Sequence, residues 1–288
     1  MEPYIPKSAV ALSSDMSKQQ VRLGIQGYGG VGKTWSVLGT PDQKQKGFPN
    51  CMVMNLDRGL GAHQGCSHIY EIPFYKMSKK EDMKDKIMEW LNTEAYKLNE
   101  GQTLIIDSLS ALEQIYHAYY RANEIQLAMG KGGRINDFAE WNIKENFFNE
   151  IHVVLKGLRC DVIMLAHEVE RPDKPTIIGQ PGTYSGKIRP LMTGKVGDSI
   201  VKEYTDWFRA HCCKKPTDPK PETLAAFRMS LAEFKTMCAE FPSDTLYYWQ
   251  TQGDDLFNAK ASSLVNPPMY IPATFAAFSK YQKTNKTT

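Results

Sequence analysis

The chain has 288 residues, 42% of them hydrophobic and 23% charged, and a formal net charge of +3. That is the balance of a globular protein with room for one large α/β domain, and the charge is too small to mark the whole surface for nucleic acid, so any basic surface must be local. No apolar run approaches the roughly 20 residues of a membrane-spanning helix, and residues 1–18 hold no signal-peptide core, so no membrane partner and a cytoplasmic location are expected. The cysteines (Cys51, Cys66, Cys160, Cys212, Cys213 and Cys238) include no C-x-x-C pair, which argues against a zinc site.

In chain order, residues 1–18 are polar with two early prolines and read as a flexible arm. Residues 21–26 form a short apolar strand. Gly27, Tyr28, Gly29, Gly30, Val31, Gly32, Lys33 and Thr34 follow as G-x-x-x-x-G-K-T, between that strand and a helix opening at Lys33. The glycines permit tight turns that point backbone N–H groups inward as a phosphate cradle. Lys33 is placed to reach the β- and γ-phosphates of ATP, and the Thr34 hydroxyl to ligand Mg²⁺. Trp35, directly after, joins the expected nucleotide contacts.

Residues 51–56 form the next buried strand. It ends at Asp57, on the sheet edge where parallel α/β folds carry ligand residues. Residues 67–72 read as a further strand, and 80–98 as a helix with Met83, Ile87, Trp90, Leu91 and Leu98 on one face. Residues 103–107 form an apolar strand ending in Asp107, the Walker B pattern, whose carboxylate acts on Mg²⁺ through water; Ser108 or Ser110 can start the following helix. That helix, 109–129, leads into a cationic loop with Lys131 and Arg134, then a helix over 137–158. The strand at 161–166 delivers His167 and Glu168 to its carboxyl end.

A long Pro- and Gly-rich loop, 170–193, carries Lys174, Tyr184, Lys187 and Arg189. A compact domain rarely holds so long a loop unless it works. Residues 203–209 read as a strand and 214–222 as a Pro- and Lys-rich insertion. Residues 246–250 and 256–257 read as a hairpin turning at 253–255. Residues 276–288 read as a polar tail.

The order of these parts resembles the RecA-type ATPase core: a P-loop, an acidic turn after the second strand (Asn55 to Asp57), a Walker B strand ending at Asp107, and a later strand ending in His167. More narrowly it is similar to the phage nucleotide-binding proteins of that type, some of which act in single-strand DNA annealing. Residues 188–195, and Ala259 with Lys260 before a Pro-rich exit, carry that narrower likeness. The resemblance spans roughly residues 20–275. It implies an α/β fold over 19–275: a RecA-like P-loop NTPase core with a mainly parallel central sheet flanked by helices, and a C-terminal β-hairpin extension.

The resemblance also implies roles. Asp57 stands where RecA-like enzymes usually place a glutamate that orients the attacking water, and it is one methylene shorter. His167 stands at the position that senses the γ-phosphate. Lys260 is the candidate cation completing a neighbouring subunit's site, although the related pattern Lys-x-Arg is Lys260-Ala-Ser262 here. The catalytic set is therefore Lys33, Asp57, Asp107, His167 and Lys260. Single-stranded DNA is expected against Lys131, Arg134, Lys174, Tyr184, Lys187 and Arg189. A ring or filament of identical subunits, a single-strand-binding protein as a further partner, and the host cytoplasm of a phage-encoded protein complete the expectation. The expected function is a DNA-stimulated ATPase of phage recombination, annealing or replication. Two other classes stay open: a helicase or helicase-loader motor on the same core, and a weakly hydrolysing ATP-gated assembly module.

Overall fold

The apolar runs read from the sequence become neighbouring strands of one sheet. The computed structural model of the protein describes residues 20–41, 45–77, 79–128, 139–170, 188–192, 196–254 and 257–282. In chain order they form β1 (Arg22–Gly27), α1 (Lys33–Leu38), β2 (Cys51–Asn55), β3 (Ile69–Pro73), α2 (Phe74–Met77), α3 (Lys80–Thr93), β4 (Thr103–Asp107), α4 (Leu109–Ala128), α5 (Ala139–Gly157), β5 (Asp161–Glu170) and β6 (Ile188–Pro190). Then come α6 (Val196–Glu203), β7 (Asp206–Lys214), α7 (Pro221–Phe227), α8 (Leu231–Ala239), β8 (Thr245–Gln250), β9 (Lys260–Ala261), β10 (Tyr270–Pro272) and α9 (Phe275–Tyr281).

The strands lie side by side in the order β10-β8-β7-β1-β5-β4-β2-β3, with β6 on β5 and β9 on β7. From β3 to β7 every neighbour is parallel. Parallel strands are covered on both faces, which is why they read as continuous apolar runs without alternation. One face packs against α3 to α6 through Met83, Ile87, Leu112, Tyr116, Phe147, Ile151 and Ile200. The other packs against α1 and α9 through Val37, Leu38 and Phe278. This is the mainly parallel sheet flanked by helices that the motif order led one to expect.

Register brings the polar strand ends to one edge. Gly27 pairs with His167, and Asn55 with Asp107. The ends of β2 and β4 lie level and that of β1 two residues further along β5, which runs past all three. The α4 and α5 helices form an antiparallel pair tied by the Lys144–Glu113 ion pair at 2.8 Å and by the Tyr116 hydroxyl on the Glu140 carbonyl at 2.7 Å.

The carboxyl-terminal third departs from the reading. Residues 203–209 are not one strand: Glu203 closes α6, and β7 runs from Asp206 to Lys214. The 214–222 insertion is the doorway to a helix pair, α7 and α8. Phe227, Phe234, Met237 and Phe241 pack there on Leu246, and α8 starts with a capping box between Ser230 and Glu233. The hairpin has other arms than expected, since β8 pairs antiparallel with β7 and with β10. Phe257 is in no strand; its N–H donates to Asp254 Oδ1 at 2.7 Å, which turns the chain and buries the ring in the helix-side core. The tail boundary at 276 is corrected as well. The helix α9 occupies Phe275–Tyr281, starts on a Thr274 cap and buries Phe278 completely. Residues 1–18 and 283–288 lie outside the described residues.

Candidate active site

The P-loop joins β1 to α1. Gly30 and Gly32 have φ of 79° and 82°, a region that L side chains avoid. At Gly32 a Cβ would also come within 2.6 Å of the Tyr247 ring. That position accepts only glycine, and its neighbour comes from β8. Nothing lies within 4 Å of a Cβ built at Gly29 or Gly30, so the loop's outer surface is open for a ligand. Tyr28 and Trp35 are about half exposed at its mouth, and Trp35 meets the His63 ring edge-on at 5.7 Å.

Lys33 is buried under the loop, and its ammonium donates to the carbonyls of Gly27 and Tyr28 at 2.9 and 2.8 Å. Burial lowers its pKa, while Asp107, Glu168 and Asp57 push the other way. The Thr34 hydroxyl donates to Asp107 Oδ2 at 2.9 Å. Burial, and then the nearby Asp57 charge, raise the Asp107 carboxyl to about 6 against the opposing effects of Thr34 and Lys33. A carboxylate so placed gains from a cation beside it.

Asp57 sits one turn beyond β2, exposed to solvent. The turn is set by Asn55, whose Oδ1 accepts the Arg58 N–H at 2.9 Å and whose amide donates to Glu71 at 2.8 Å. Ser108 donates to Asp57 Oδ2 at 3.0 Å. A Cβ at Gly59 would stand 3.2 Å from Asp57 Oδ1 and 3.4 Å from Asp107 Oδ2, so both carboxylates converge on one glycine.

His167 is half-buried beside the P-loop, and its backbone N–H donates to Ser110 Oγ at 3.2 Å. Burial first and Lys33 second lower its pKa, favouring the neutral imidazole. Next to it, Glu168 is buried and paired with Arg209 of β7, Nε to Oε2 at 3.0 Å and Nη2 to Oε1 at 2.9 Å. The Trp207 indole N–H donates to Gln26 Oε1 at 2.8 Å. Sequence reading missed Ser108, Ser110 and Arg209 as site-shaping residues. Both serines stood out only as helix starters, and Arg209 carried no local signal.

The fold therefore gathers Lys33, Thr34, Asp57, Asp107 and His167 at one edge. It does not bring Lys260 there. Lys260 pairs with Trp207 in β9, and its ammonium donates to the carbonyls of Lys202 and Tyr204 in its own chain. Of the DNA candidates, Arg189 lies on β6 beside a cavity of about 410 Å³ that Gln26, Lys202 and Asn258 also line. Lys131, Arg134, Lys174, Tyr184 and Lys187 fall outside the described residues.

The donor set fits a magnesium nucleotide. Thr34 and Asp107 offer only oxygen, which suits a hard cation. The carbonyls holding Lys33 are neutral, so phosphates can take their place.

A family profile described as an AAA domain matches residues 19–211, more than half of the chain. No curated protein matches it. Among solved structures, the crystal structure of the RadB recombinase is similar at 13% identity, covering 69% of this chain and 76% of that one with a TM-score of 0.32.

Proposed function

The chain belongs to the AAA domain family and is a P-loop ATPase, and from that premise we propose that it hydrolyses ATP in response to single-stranded DNA, in phage recombination, annealing or replication. The observation that carries the reading is the convergence of Lys33, Thr34, Asp57, Asp107 and His167 at the carboxyl edge.

In this reading Lys33 moves from the Gly27 and Tyr28 carbonyls to the β- and γ-phosphates. Thr34 and Asp107 would hold Mg²⁺, which would supply charge neutralisation on the phosphates. Asp57 orients the water, and neutral His167 reports the γ-phosphate to the chain beyond β5. Single-stranded DNA lies along the loops holding Lys131, Arg134, Lys174, Tyr184, Lys187 and Arg189. Phosphate neutralisation supplies affinity without sequence preference, and base stacking contributes about 1–3 kcal/mol per base. Subunits assemble as a ring or filament, with Lys260 exchanging its own chain's carbonyls for a neighbour's nucleotide.

Fluorescence anisotropy of a labelled oligonucleotide, titrated against salt with and without a non-hydrolysable ATP analogue, tests the DNA reading. Binding should tighten with nucleotide, weaken steeply with salt, and lose salt slope in Lys187→Ala/Arg189→Ala. Binding indifferent to all three returns the protein to an ATPase that acts without DNA. Mixing Lys260→Ala with Lys33→Ala subunits tests the assembly: restored turnover requires a site shared between chains.

A further inference from the structure

Asp57 is the group in the site least constrained by its own strand, since it lies past the end of β2 on an exposed turn. What holds its carboxylate comes from the junction of β4 and α4. Ser108 is 1% exposed there, and its Oγ accepts the Ala111 N–H at 3.3 Å while its hydroxyl donates to Asp57 Oδ2 at 3.0 Å. A serine hydroxyl has a single proton. With a lone pair engaged by the helix amide, that proton is directed at Asp57.

We propose that Ser108 is a positioning residue for ATP hydrolysis, anchoring Oδ2 of Asp57 so that Oδ1 meets the attacking water. The proposal rests on the assignment of Asp57 as the water-orienting residue. It accounts for how an aspartate serves where a longer side chain is usual: the carboxylate is held by a donor from across the sheet edge instead of being delivered by length. Gly59 keeps the Oδ1 side open, because a Cβ there would crowd that oxygen at 3.2 Å. Asn55 sets the turn through the Arg58 N–H. The same first turn of α4 carries Ser110, which accepts the His167 N–H, so one helix end locates both the water-orienting residue and its γ-phosphate partner.

The test measures single-turnover ATP hydrolysis and the Kd of a non-hydrolysable ATP analogue in the wild type, Ser108→Ala, Ser108→Thr, Asp57→Asn and the Ser108→Ala/Asp57→Asn double variant. A misplacement near 1 Å costs on the order of a hundredfold. Ser108→Ala should therefore slow hydrolysis by about 10- to 100-fold with Kd changed by less than about twofold, and Ser108→Thr should restore most of the rate. In the Asp57→Asn background Ser108→Ala should have no further effect, since a residue acting through Asp57 loses its target. Ser108→Cys keeps the volume and weakens the donor, and it serves in place of alanine if that variant unfolds. The proposal is overturned if Ser108→Ala slows the Asp57→Asn protein by its full factor, the mark of a helix cap alone. It is equally overturned if hydrolysis ignores Ser108 while Asp57→Asn abolishes it. Unchanged hydrolysis in Asp57→Asn would remove Asp57 from the catalytic reading itself, and this proposal with it.

Discussion

The two halves of the sheet treat polar groups in opposite ways. The central parallel strands β2, β4 and β5 carry unbroken apolar runs, 52–54, 104–106 and 162–166, and Asn55, Asp107 and His167 follow directly after them. At the seam with β7 and in β8, polar groups enter the interior. Arg209 is locked to Glu168 and the Trp207 indole to Gln26, while His211 stacks on Tyr248 at 5.1 Å and bonds Gln250. This second half also presses on the nucleotide loop, with Tyr247 beneath Gly32 and the Ala210 carbonyl against Gly27. The difference teaches that the chemical groups sit where the fold can spare them, whereas the buttress is tied by groups that the fold cannot lose.

The largest expected effect sharpens that contrast. Glu168→Gln leaves the Arg209 guanidinium in a site only 14% exposed without its counter-charge. Breaking a buried pair in this way costs about 3–5 kcal/mol, whereas replacing both partners by apolar side chains comes close to neutral. Urea denaturation of Glu168→Gln and of Glu168→Met/Arg209→Met checks this. Equal stability of Glu168→Gln and wild type would place the seam in the same expendable class as the edge.

At the edge, Lys33→Ala should act on binding and not on folding. Among the described residues its ammonium bonds two neutral carbonyls, in a setting where burial already lowers its pKa. Two charge-assisted contacts to phosphate lost at about 1.5–3 kcal/mol each weaken an ATP analogue by roughly a thousandfold. Isothermal titration reads the loss. An unchanged Kd in a folded variant would remove the phosphate-binding assignment.

A third measurement uses pH. The Asp107 carboxyl stands at about 6 in the folded protein against an ordinary value of 3.8. The folded state therefore holds its proton through a window in which the unfolded state has released it. Stability from this group is complete below about 4, falls as pH rises toward 6, and is lost above it, to a total of about 3 kcal/mol. Without nucleotide, Asp107→Asn should gain up to that amount over the wild type at pH 8 and nothing at pH 4, read as Tm against pH. A difference that does not vary with pH would mean that Asp107 ionises without strain.

Much of the edge was legible because its signals are local. The P-loop glycines sit beside one another, the Walker B aspartate ends an apolar run, and Asp57 and His167 follow strands that declare themselves by continuous hydrophobicity. The helices α3, α4 and α5 were readable from apolar residues recurring at helical spacing, although α3 ends at Thr93 and not at residue 98. The α7–α8 pair was not readable, since its helices are only 7 and 9 residues long and follow a Pro- and Lys-rich run. Helix α9 was missed because its seven residues, Phe275–Tyr281, span too few turns to show a helical period.

What the sequence determined by itself was the nucleotide loop, the parallel core and the side chains that end its strands, because each depends on residues adjacent in the chain. Only the tertiary structure decided that Ser108 meets Asp57, that Ser110 holds the His167 backbone, that Arg209 seals Glu168, and that Tyr247 requires glycine at position 32. Those contacts join residues 41 to 215 positions apart. Short polar side chains carry no periodicity, so a partner across the sheet leaves no mark in the sequence around either residue.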